Sequence, residues 1–183
     1  MSEYVCPAEA GESEEIMLIT SAEANKLLHK LNDEHRMILA LERDAREFVA
    51  ATCEDIDNAR PDYDYETTQA MLREQEEKIT ALKHAINVFN VTQEVPGFGI
   101  TIDRMLVKIP QLSQKKEKLR EMRAALPKTR NRTSGSSSLI EYTYANYDIA
   151  KVAADYDAVT DELTRAQNAL DLVNSTVKFE IEI

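Results

Sequence analysis

The chain reads as a mainly α protein: an antiparallel up-down-up-down four-helix bundle of long, coiled-coil-like helices with short strands at its poles. Three observations predict this. From Asp148 to Val173 apolar side chains fall at Ile149, Val152, Tyr156, Val159, Leu163, Ala166, Leu170 and Val173, the three-four alternation of a coiled-coil seam. The other faces carry Asp155, Asp157, Asp161, Glu162 and Arg165, so this helix must lay its stripe against other helices. Only four glycines and five prolines punctuate 183 residues that are 30% charged, a composition of long helices. Finally, the connections between the first three helices are short, which makes neighbouring helices antiparallel.

Residues 1–15 are small, acidic and aperiodic, and read as a tail; residues 16–183 read as a single helical domain. Ile16 to Thr20 is an apolar run that predicts a strand, and Ser21 after it is a natural N-cap. A first helix is expected over about 21–55, its seam running Leu27, Leu31, Glu34, Ile38, Leu41, Ala45, Phe48 and Thr52. The stretch from Asp57 through Pro61 to Asp64 breaks it, because proline and clustered Asp and Asn favour a turn and then a cap.

A second helix is expected over about 65–90, with Thr68, Leu72, Gln75, Ile79, Leu82, Ile86 and Phe89 on its seam. Val95-Pro-Gly-Phe-Gly99 is the sharpest turn, since its two glycines permit positive φ. Thr101 then caps a third helix over 101–126, whose seam passes Ile102, Met105, Ile109, Leu112, Lys116, Leu119 and Met122. Pro110 removes one hydrogen bond inside it and predicts a kink, not an end. Residues 127–138 read as a flexible loop, 139–145 as an aromatic-rich strand, 148–174 as the fourth helix, and 177–183 as a strand alternating Val177, Phe179, Ile181 and Ile183 with charged residues. In such a bundle the first and last strands share a pole and can pair.

The formal charge of −11 argues against nucleic acid or an anionic membrane as partner, because both require Lys and Arg on the contact face. No apolar run reaches the length of a membrane span and the first residues are acidic, which predicts a cytoplasmic location. Cys6 and Cys53 have neither disulfide-framework nor zinc-ligand spacing. Asp55, Asp57 and Glu66 occupy positions one, three and twelve of a calcium loop, but Ala59 and Arg60 stand where that loop needs an oxygen ligand and a glycine. His29, His35 and His84 lack the helical spacings of di-iron and zinc sites. No catalytic, cofactor or metal residues are therefore assigned, and no enzymatic activity is expected.

Two groups stand out as candidate sites. Tyr63, Tyr65, Tyr142, Tyr144 and Tyr147, with Arg130 and Arg132, belong to the two connections at one pole. Exposed tyrosine beside arginine is the composition of a contact hot spot, though the same rings could simply cap the open end of the bundle. The second group is a polar layer within the apolar seam, predicted at Glu42, Gln75 and Lys116 from their common height along the helices. Such a layer fixes register or partner number; the plainer alternative is that Lys116 bends its stem out to water.

From residue 85 onward the order Ile86-Asn-Val-Phe-Asn90, Gly99-Ile-Thr-Ile102, Leu119-Arg-Glu-Met122, Ile140-Glu-Tyr142 and Asn174-Ser-Thr-Val-Lys-Phe-Glu180 resembles the septicolysin-like family of small bacterial helical proteins. The resemblance covers somewhat more than half the chain. Where that family carries an Arg-Asp pair in its third helix, this chain has Ile109-Pro110, which removes any role for the pair. The family name implies a cytolysin, but the Lys- and Arg-rich amphipathic stretch of a lytic helix is missing. The function expected is therefore that of a non-enzymatic helical-bundle protein acting through protein contacts, with self-association foremost. The alternative is a small-molecule or metal binder at the tyrosine-rich pole.

Overall fold

A computed structural model describes residues 16–131 and 140–182. The fold is mainly helical with small antiparallel sheets, as the periodicity predicts. Its elements are β1 (Ile16–Thr20), α1 (Ser21–Ala45), α2 (Ile56–Ala59), α3 (Tyr65–Thr92), β2 (Glu94–Val95), β3 (Ile100–Thr101), α4 (Ile102–Arg123), β4 (Lys128–Arg130), β5 (Tyr142–Tyr144), α5 (Ile149–Thr176) and β6 (Lys178–Glu182). The described residues group into two compact units. One takes the chain up to Phe89 together with Ser175 onward, and the other takes Asn90–Asn174.

The first unit pairs α1 with α3. Glu42 bonds Gln69 at 2.7 Å, and one heptad back on α1, one heptad on along α3, His35 meets Glu76 at 3.3 Å. Equal steps in opposite directions define an antiparallel coiled-coil register. That register also explains where α1 ends. Opposite Arg46 it reaches Tyr65, the first residue of α3, so Phe48 and Thr52 lie beyond the reach of α3 and the helix stops at Ala45 instead of near residue 55. The N-cap differs by one residue from the expected Ser21. Thr20 Oγ1 accepts from the Glu23 backbone N–H at 3.3 Å, while Glu23 accepts from the Thr20 backbone N–H at 2.8 Å. This reciprocal capping box satisfies two donors where Ser21 could satisfy one; Ser21 is instead a buried residue of the first turn.

At the capped end Ala24, Leu31, Ile79, Leu82, Ile86 and Ile181 form the core, with Ile19 and Phe179 against it. Phe179 stacks on Phe89, ring centroids 4.5 Å apart. Strands β1 and β6 run antiparallel in the register Met17 to Ile181, Leu18 to Glu180 and Ile19 to Phe179, the pairing expected of the two terminal strands. The short α2 was not anticipated; Asp55 caps it by accepting from the Asp57 N–H at 3.1 Å, so these carboxylates serve a turn. Asp64 does the same for α3 through the Glu66 N–H at 3.0 Å and the Thr67 hydroxyl at 2.6 Å.

The second unit pairs α4 with α5. Ile102, Met105, Leu112 and Leu119 are buried on α4, and Val152, Val159, Leu163, Ala166, Leu170 and Val173 on α5. Lys108 bonds Glu162 at 2.8 Å and lies 5.2 Å from the Phe98 ring centroid. The turn joining β2 to β3 takes positive φ at Gly97 (80°) and Gly99 (59°), as its sequence requires. Thr101 occupies the cap position of α4 without a side-chain cap bond; the Ile102 N–H donates to the Gln93 carbonyl at 3.0 Å instead. The helix runs on through Pro110. Among the described residues, no helix is long and apolar enough to cross a membrane.

Candidate functional site

The end of the α4–α5 hairpin is where predicted contact residues come together. Residues 128–130, expected in a loop, form β4, and the expected strand over 139–145 shortens to β5. The two pair with Lys128 opposite Tyr144, Thr129 opposite Thr143 and Arg130 opposite Tyr142. The missed signal was cross-strand: a three-residue strand shows no period alone, and its existence depends on the tyrosines that face it.

Successive strand residues point to opposite faces, so this register puts Lys128, Arg130, Tyr142 and Tyr144 on one face and Thr129 and Thr143 on the other. The tyrosine rings lie 6.4 Å apart at 51°. The Lys128 ammonium sits 4.0 Å from the Tyr142 centroid and 5.3 Å from that of Tyr144, a geometry in which the ring quadrupoles hold the cation. Tyr142 is 42% exposed and Tyr144 60%. The opposite face is tied by the Thr143 hydroxyl donating to Asn131 Oδ1 at 2.7 Å, and the ends by Asn131 N–H to Glu141 O at 2.9 Å and Ala145 N–H to Pro127 O at 3.1 Å.

Tyr147 plays a different part, its hydroxyl donating to the Met122 carbonyl at 2.9 Å and so holding the last turn of α4 beside the start of α5. Asp148 caps α5 through the Ala150 N–H at 2.8 Å. Arg123, the last residue of α4, lies 3.8 Å over the Tyr156 ring, with Asp157 at 3.9 Å. Chemically the ribbon offers two flat rings and two cations, suited to carboxylates, carbonyls and aromatic groups of a partner. Arg132 lies outside the described residues.

Tyr63 and Tyr65 belong to the first unit. Tyr65 opens α3 and is exposed, while the Tyr63 hydroxyl donates to Glu42 at 3.2 Å beside the Gln69 amide. Burial raises the Tyr63 phenol above its ordinary value, and the Glu42 hydrogen bond adds to that. A cleft of about 380 Å³ here is lined by Ile38, Leu41, Glu42, Tyr63, Thr67 and Met71, among others. Of the predicted polar layer, Glu42 meets Gln69 and not Gln75, because the observed register places Gln69 at its level. Gln75 Oε1 is buried without a hydrogen-bond partner among the described residues. Lys116, in the second unit, holds its ammonium 6.0 Å from the Tyr156 centroid. Among the described residues no group of three or more His, Cys, Asp and Glu is placed to hold a metal ion.

These features define a mainly helical protein of paired antiparallel helices closed by short antiparallel ribbons. No protein-family model and no curated protein matches the chain. The fold is similar to the crystal structure of a functionally unknown conserved protein from Corynebacterium diphtheriae, with a TM-score of 0.54 and 17% identity over 89% of this chain and 99% of that one.

Proposed function

We propose that the protein is a non-enzymatic helical protein that acts through protein–protein contacts, self-association among them. The observation that supports this is the β4–β5 face, where two exposed tyrosines and two cations are presented on a hydrogen-bonded ribbon. Large rigid rings with a polar handle, next to cations, are what contact hot spots are made of. On a chain of net charge −11, Lys128 and Arg130 form a local positive face that complements acidic surfaces, another copy of this chain included. Sedimentation equilibrium over a wide concentration range tests the self-association part of the reading: the expected result is a mass above that of one chain. A strictly monomeric species at every concentration would remove self-association from the proposal.

The cleft beside Glu42 and Tyr63 supports a second reading, a small-molecule site with an apolar floor and an acidic rim. A melting shift with alkylammonium compounds, and none with the matching carboxylates, would favour it. From the sequence we also propose a cytoplasmic location, membership of the septicolysin-like group and the packing of all four long helices in one up-down-up-down bundle. The cytolytic activity that the group name implies is not part of the proposal.

A further inference from the structure

Strand β1 is built like the centre of a sheet yet stands at an edge. Its five residues, Ile-Met-Leu-Ile-Thr, contain no charge, proline or glycine, and its one strand neighbour among the described residues is β6. Met17 and Ile19 pair with Ile181 and Phe179, and of these Ile19, Ile181 and Phe179 pack in the core. Ile16 and Leu18 point the other way, 64% and 57% exposed, opposite Glu182 and Glu180. Edge strands are ordinarily blunted by charge or proline, and β1 carries neither. Strand β6, Lys-Phe-Glu-Ile-Glu, is blunted in that way. The two edges of this ribbon are therefore not equivalent: one invites pairing and the other resists it.

We propose that the edge of β1 away from β6 pairs antiparallel with β1 of a second copy of this chain, giving a four-stranded sheet with the two β1 strands in the middle and the two β6 strands outside. This rests on the self-association proposed above and assigns its surface. The choice of a second copy follows from the pattern. An antiparallel pair centred on Met17 sets Ile16 of one copy against Leu18 of the other, twice, so the apolar outer strip is completed by itself. Glu180 and Glu182 are kept one strand away from the axis. Pairing through β6 would instead bring the acidic side chains of both copies together, which like-charge repulsion opposes.

The test is sedimentation equilibrium of the full chain and of three variants. Leu18→Lys and Ile16→Thr alter outward-facing side chains, so far-UV dichroism should stay that of the parent. The expected result is a dimer whose dissociation constant rises by about tenfold or more in L18K, because a charged side chain then stands against Ile16 of the other copy in both cross-strand pairs, and rises less in I16T. Glu180→Lys should leave the constant unchanged. A parent dimer that L18K does not weaken, or that E180K weakens more, overturns the β1 assignment while leaving self-association standing. A parent that is monomeric throughout overturns both.

Discussion

Glu42 receives two donors on one carboxylate oxygen, the Tyr63 hydroxyl and the Gln69 amide. Together they anchor the segment before α3 to the end of α1. Since the Tyr63 phenol is held up first by burial and then by Glu42, Glu42→Ala should move its titration back toward the ordinary tyrosine range without restoring it fully. Tyrosinate absorbance of variant minus parent would read this, and superimposable curves would contradict the assignment. Gln75 presents the opposite case, a seam residue with a buried acceptor that no described residue satisfies. Leaving such a group unpaired costs free energy that an apolar side chain of similar length avoids. Gln75→Met is therefore expected to stabilise by about 1 kcal/mol, seen as a higher urea midpoint at unchanged slope. A lower midpoint would mean that the amide has a structural role.

Elements carry the larger energies. Leu82 is fully buried between α3, α1 and β6, so Leu82→Ala should cost about 2–5 kcal/mol by chemical denaturation, the range for a deleted core leucine. A cost below about 1 kcal/mol would show a core that collapses onto the gap. In the β2–β3 turn, a methyl added at Gly97 meets no atom within 4 Å. Gly97→Ala should nonetheless cost about 1–2 kcal/mol, because positive φ is strained for any residue with a Cβ. The four long helices were legible because a three-four spacing of apolar residues survives any context. Helix ends were less so. The seam of α1 continues through Phe48 and Thr52 on paper, but a heptad holds a helix only where a second helix lies opposite, and α3 begins too late. The N-cap moved from Ser21 to Thr20 for a similar reason, since the capping box depends on Glu23 three residues on.

At the scale of the whole molecule, carboxylates in both units share one sign. Glu23 is held below the ordinary carboxylate range by the Thr20 N–H, Asp64 by the Thr67 hydroxyl, Glu117 by Arg120 and Glu162 by Lys108. A depressed folded-state pKa contributes stability above the unfolded value and loses it as pH falls through the folded one. Thermal midpoints should therefore hold near neutrality and drop as pH falls below the ordinary carboxylate range, less steeply in Glu23→Gln than in the parent. Equal slopes would remove the capping carboxylate from the account.

The predicted sites divide along the same line. The aromatic and cationic residues of the contact patch could be picked out by composition, but their grouping could not: β4 places Lys128 and Arg130 against Tyr142 and Tyr144, while Tyr63 turns inward to Glu42. By itself the sequence determined which faces of the helices are buried, where the glycine turn falls and that the two terminal strands are complementary, because each follows from spacing within a short stretch. Only the tertiary structure decided where α1 stops, which residue meets Glu42 and which edge of β1 faces away from β6. Those depend on register between segments far apart in the chain, and register is set by all the packed side chains at once.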